Sequence, residues 1–141
     1  MTRIDEPIIL KDVPGHLSDA EILNYLYMKE ITWKHVNAIR DLTAFKDDAV
    51  SDWLNVSVRT LRDYCKPRST FKDNFKEQVL LILALIKHGK TVFGSKEAFD
   101  TWLMTENFYF DNKKPETFMN TVTGLRFIDD RLTAIQYGDN V

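Results

Sequence analysis

The run DDAVSDWLNVSVRTLRDYCK, from Asp47 to Lys66, parses as two short helices joined by a tight turn. Val50, Ser51 and Leu54 recur at helical spacing on the first. Asn55 follows, where a chain leaving a helix often needs φ > 0, a conformation Asn tolerates better than most residues. Val56 is an apolar plug after the turn. Ser57 is an N-cap, its hydroxyl placed to accept from a free N–H of the next turn. Leu61 and Tyr64 give an i, i+3 apolar face, with Arg59, Arg62, Asp63 and Lys66 off it. A small residue in the first helix, a turn-permissive residue four later and apolar inner faces on both make helix-turn-helix spacing. A plain helical hairpin buries Val and Leu at the same intervals, and local charge tips the balance between the two. From Ser57 to Lys76 the bases are Arg59, Arg62, Lys66, Arg68, Lys72 and Lys76, against Asp63 and Asp73. A basic island on a chain of net charge −2 meets the local requirement of phosphate contact.

Upstream, residues 1–17 read as an arm broken by Pro7, Pro14 and Gly15, with Ile8-Ile9-Leu10 available to pin it. Ser18 is an N-cap with Glu21 at the capping-box position. Ile22, Leu23, Leu26 and Tyr27 then repeat helically, and a second helix is expected from about Thr32 to Thr43.

Downstream, Pro67 ends the second helix of the pair. Ser69-Thr70 offers a cap for a long helix, about Phe71 to His88, that is apolar all round and therefore buried on all sides. It is expected to be the central post, with a share in an oligomer interface. Gly89 reads as its C-cap, with Lys87 and His88 as dipole partners in the last turn. Residues 18–90 thus form a helical domain, and residues 91–141 a separate module. In that module Ser95 caps a helix carrying Ala98, Phe99, Trp102 and Leu103. A loop with Phe108, Tyr109 and Phe110 follows. Pro115 heads another helix, Thr123-Gly124 breaks it, and Leu125, Ile128, Leu132 and Ile135 mark a last one. No alternating strand is visible, so the fold class is all-α.

Composition bounds the function. A length of 141 residues suits one domain or two small ones sharing a core. Cys65 is alone, which excludes an intramolecular disulfide. No signal peptide is visible, and the apolar run Val79–Ile86 is too short for a bilayer. A soluble, cytoplasmic protein with no membrane partner is expected. His16, His35 and His88 are scattered, without Cys or carboxylates at ligand spacing. The five glycines stand singly at breaks, so no phosphate loop is present. Asp47-Asp48 and Asp129-Asp130 read as solvated charge. Neither a catalytic group, a metal nor a cofactor is expected.

Ser57-Val58-Arg59-Thr60-Leu61 resembles the S-x-R-T-L turn and helix of the Xre-type domain in Xre/MbcA/ParS antitoxins. The C-terminal module strengthens that resemblance. Val92-Phe93-Gly94, the A-F-x-x-W-L pattern of Ala98 to Leu103, an aromatic loop, Pro115, Thr121 to Gly124 and the I-x-Y-G of Ile135 to Gly138 are similar, in order and spacing, to the toxin-binding domain of that family. One departure stands out: where the family carries a leucine-Gly-Gly type turn before the proline, this chain has Phe110-Asp111-Asn112-Lys113-Lys114. Asp-Asn is still turn chemistry, but partner contacts of that loop differ with it.

The resemblance implies a type II antitoxin that neutralises a cognate toxin, commonly of the NAD-consuming RES type. It would do so by covering the toxin's active-site entrance with the module and chain end, and it would repress its own operon by binding operator DNA. Dimerisation is expected because such readers meet two half-sites. On this reading the DNA contacts are Ser57, Arg59, Thr60, Arg62, Lys66 and Arg68. Arg59 and Arg62 would reach base edges, and the others phosphates. The toxin contacts are Phe108, Tyr109, Phe110 and Lys114 in the loop, with Tyr137, Asp139, Asn140 and Val141 at the end. Solvated charge is the competing reading for the bases. For the aromatics it is inward packing, and for the tail a frayed end. A stand-alone transcription regulator with a C-terminal dimerisation module is the alternative function.

Overall fold

The computed structural model describes residues 8–141. The expected arm therefore falls partly on residues 1–7, outside the described residues. Its visible part is tied down: Ile8–Leu10 form a 3-10 turn, Leu10 and Val13 are buried, and Lys87 Nζ donates to the carbonyls of Leu10 (2.8 Å) and Val13 (2.9 Å). Ser18 accepts from the Glu21 amide and starts α1, Asp19–Met28. Thr32 starts α2, Trp33–Leu42, in a reciprocal cap. There the His35 ring takes the role a Glu or Gln side chain usually plays, accepting from the Thr32 N–H at 3.0 Å. Helices α3, Asp47–Trp53, and α4, Val58–Tyr64, follow. Asn55 lies between them at φ 59°, and the Val56 amide closes the turn on the Ser51 carbonyl at 3.0 Å. Ser57 caps α4 by accepting from the Thr60 amide at 3.0 Å. The pair therefore folds as its residues dictate.

The long helix α5, Asp73–Phe93, is the post. Gln78 to Ile86 are all buried within this one chain, and α1, α2, α6 (Lys96–Leu103) and α7 (Val122–Gln136) pack around it. Two boundaries differ from expectation. The helix begins at Asp73 with no side-chain cap, not at Phe71 behind Ser69-Thr70. It also runs through Gly89 to Phe93, and Gly94 at φ +86° is the left-handed C-cap. Gly89 is a contact, not a stop: a Cβ there would sit 2.4 Å from the Phe99 ring. Lys87 and His88 are consequently mid-helix. His88 is no dipole partner. It is 3% exposed and bonds Asp129 Oδ1 at 2.7 Å and Gln136 Oε1 at 3.2 Å through its two ring nitrogens. Asp129, read as solvated, is buried with it, joining α5 to α7.

The expected break at Gly124 is also corrected. Pro115 heads only a 3-10 turn, Pro115–Phe118. Thr121 then caps α7 by accepting from the Gly124 amide at 2.9 Å. Gly124 stands inside the first turn of α7 because a Cβ would meet the Phe118 carbonyl oxygen at 1.8 Å. Helices are the only regular structure among the described residues, apart from an isolated bridge between Asn107 and Lys113.

Candidate functional site

Two surfaces gather the residues singled out in the sequence. On the first, Arg59 and Arg62 lie an i, i+3 step apart on α4, so they share a face, and both are exposed. Arg59 has no carboxylate partner among the described residues. Arg62 is engaged: its Nε donates to Asp47 Oδ2 at 3.2 Å. Arg40 grips the same carboxylate through both oxygens, at 2.9 and 3.1 Å. The Arg40 hydrogen bond, with that from Arg62, holds the Asp47 carboxyl below its ordinary range despite some desolvation. Asp47 thus sets the rotamer of Arg62 against α3. Sequence reading missed this, because an acid fifteen positions away carries no local signal.

The island is also smaller than its composition implies. Lys66 reaches Asp63 at 3.4 Å and Lys76 reaches Glu30 at 2.7 Å. Arg59, Arg68 and Lys72 remain exposed without such partners among the described residues. Ser57 and Thr60 share a hydroxyl–hydroxyl bond of 3.0 Å at the helix start. Arg68 sits in the left-handed region at φ 73° just past α4.

The second surface is built on the loop before Pro115 and the chain end. Asn107 accepts from the Tyr109 amide and opens a 3-10 turn, Phe108–Phe110. That turn sends successive aromatics in different directions. Phe108 is 80% exposed and Tyr109 36%. Phe110 is 1% exposed, edge-on to Trp102 at 5.6 Å and to Phe127 at 5.0 Å. Phe110 is therefore corrected from a surface anchor to a core residue: a turn of three residues per revolution cannot aim three neighbours outward at once. Lys114 is exposed.

The tail is not frayed. Arg131 on α7 lays its guanidinium on the Tyr109 ring, 3.6 Å from the centroid, within cation–π range. It donates to Asp139 Oδ2 at 3.1 Å and to the Asn140 carbonyl. The main-chain oxygen of Val141 accepts from Trp102 Nε1 at 3.3 Å and Asn107 Nδ2 at 3.1 Å. Tyr137 projects outward at 85% exposure, and Val141 is 64% exposed. Phe108, Tyr109, Tyr137, Asp139, Asn140 and Val141 thus belong to one module surface. None of Arg131, Trp102 Nε1 or Asn107 was found from sequence.

The two surfaces are joined. Asn55 Nδ2, in the turn before α4, donates to the Asn120 carbonyl at 3.0 Å. Buried Gln78 bridges the carbonyls of Trp53 (3.0 Å) and Met119 (3.2 Å). Asp100 on α6 accepts from the Ala44 amide at 2.9 Å and the Thr43 hydroxyl at 3.2 Å. Burial pushes the Asp100 carboxyl up, against the pull of those two bonds. Among the described residues no cluster of His, Cys, Asp or Glu is arranged to hold a metal, and no helix is long and apolar enough to cross a membrane.

Residues 88–138 fit the family described as the antitoxin Xre/MbcA/ParS C-terminal toxin-binding domain. No curated protein matches the chain.

Proposed function

We infer that this chain, which carries the Xre/MbcA/ParS-type toxin-binding domain over residues 88–138, is the antitoxin of a toxin–antitoxin pair. The observation that carries the reading is the placement of Phe108, Tyr109 and the tail from Tyr137 within that matched segment or directly after it. Large exposed aromatics clustered on one face are the usual anchors of a protein partner. We further propose that the partner is a RES-type, NAD-consuming toxin, and that the module covers its active-site entrance without chemistry of its own. Residues 91–141 are the toxin-binding module and residues 18–90 the DNA-reading domain, with the protein acting as a homodimer in the cytoplasm. Helix α4 enters the major groove with Arg59 foremost. Arg62 follows once it leaves Asp47, and Ser57, Thr60, Lys66 and Arg68 meet phosphates.

The test is growth. The reading frame adjacent to this gene is expressed alone and then with this chain. Arrest accompanied by NAD loss in the first case, and rescue in the second, is the expected outcome. Normal growth in both cases would remove the antitoxin reading. Arrest with NAD levels held would remove only the RES assignment.

A further inference from the structure

The tail leaves α7 by a fixed route. Tyr137 ends the helix, and Gly138, at φ +102°, reverses the chain. Its amide bonds the Ile135 carbonyl at 3.0 Å, and the Asp139 amide bonds the Ala134 carbonyl at 3.0 Å. This paired closure is a Schellman cap, and it points the next residues back along the helix they came from. There Arg131 waits, two turns earlier. Its side chain is only 11% exposed, and its Nε is buried without a partner among the described residues. One face lies on Tyr109, and the two terminal nitrogens are taken by Asp139 and Asn140. Such a guanidinium does not offer its charge outward. It works inward, on the tail.

We propose that Arg131 is a positioning residue that clamps residues 139–141 onto the 102–110 face, so that the toxin meets the tail as a preformed wall of the module and not as an extended strand. The inference rests on the antitoxin reading and deepens it. Three separate elements hold three consecutive residues: α7 through Arg131, α6 through Trp102 and the aromatic turn through Asn107. A peptide end ordered only on binding gives up backbone freedom at that moment, whereas a clamped one has given it up beforehand, which raises affinity without any new contact. Only Arg supplies both the planar stack and the fork; Lys retains the charge and loses both. The outer side of the wall stays available, with Phe108, Tyr137 and Val141 projecting from it.

The test uses the full chain, its Arg131→Ala and Arg131→Lys variants, and a chain lacking residues 139–141. The Trp102 indole N–H reports the clamp directly, because its acceptor is the main-chain oxygen of Val141. In Arg131→Ala its hydrogen exchange should quicken by roughly tenfold or more while α7 backbone amides keep their protection. Nitrogen-15 relaxation should show Asn140 and Val141 becoming mobile. Arg131→Lys should fall between Arg131→Ala and the native chain. Affinity for the product of the adjacent reading frame should drop about tenfold in Arg131→Ala. The same change in the tail-less chain should add no further loss. An unchanged indole signal and tail in Arg131→Ala, or binding as tight as the native chain, overturns the proposal. Absence of any binding by the native chain instead overturns the antitoxin reading, and the indole signal still decides whether the clamp exists.

Discussion

Asn55, held in the left-handed region at φ 59°, donates its side-chain amide to the Asn120 carbonyl 3.0 Å away. One residue thus supplies both the backbone conformation that lets α4 follow α3 and a tie from that turn to the C-terminal module. The two roles separate by mutation. Asn55→Gly keeps the permissive backbone and loses the tie, which costs about 1 kcal/mol. Asn55→Ala loses both, adding roughly 1–2 kcal/mol for an L-residue at positive φ. Urea unfolding should therefore rank native, then Gly, then Ala, and an Ala variant as stable as the Gly variant would contradict the αL requirement.

Two buried histidines titrate in opposite senses. Burial lowers His35 to about 4. Its neutral ring accepts from the Thr32 amide and meets the Tyr25 hydroxyl at 2.8 Å. Between pH about 6.5 and about 4 the unfolded chain binds a proton that the native ring refuses. His35 therefore withdraws stability as pH falls through that window, by an amount on the order of 3 kcal/mol. His88 runs the other way. Burial lowers it, but the Asp129 bond with that from Gln136 more than offsets this, and the net shift is upward. Its contribution is complete below its ordinary value and is lost as pH rises through the raised one. Unfolding of His35→Gln across pH should lack most of the acid slope, and His88→Gln should lack the slope on the alkaline side.

Operator binding should divide the basic residues by their intramolecular partners. Arg59→Ala should cost about 1–3 kcal/mol of affinity for DNA upstream of the gene. Arg62→Ala should cost less, since contact with a base first breaks the pair with Asp47. Lys72→Ala should weaken binding across sequences and reduce the salt slope by about 1. Fluorescence anisotropy at several salt concentrations reads all three. Native affinity in the Arg59/Arg62 double variant would remove α4 as the reading helix.

Gly89 and Gly124 lie inside helices, where Ala is normally favoured by about 1 kcal/mol. Both Ala variants should nevertheless be destabilised. A Cβ at Gly89 meets the Phe99 ring at 2.4 Å, and one at Gly124 meets the Phe118 carbonyl oxygen at 1.8 Å. Overpacking against a ring costs about 1–3 kcal/mol, and Gly124→Ala should exceed Gly89→Ala because its obstacle is backbone. Thermal unfolding decides the order.

Local chemistry was legible. Ser18, Ser57 and Ser95 announce their caps because each accepts from a backbone amide three residues on, and Asn55 announces its turn because it tolerates a positive φ. The all-round apolar α5 announces its burial. What escaped depends on partners far along the chain. Gly89 and Gly124 look like punctuation until Phe99 and Phe118 arrive. His88 looks like a helix-end charge until Asp129 comes 41 positions later. Phe110 could not be told from Phe108 by residue type, since a 3-10 turn assigned their directions. The tail looked loose because neither Arg131 nor Trp102 signals from sequence that it will hold it.

The most direct measurement is titration calorimetry of the product of the adjacent reading frame with the native chain and with its Phe108→Ala/Tyr109→Ala variant. If the module's aromatic face holds the toxin, the native chain binds tightly and the variant, still folded by circular dichroism, loses roughly thirtyfold or more, the effect of an anchor worth at least about 2 kcal/mol. Equal affinity of the two chains would contradict the account.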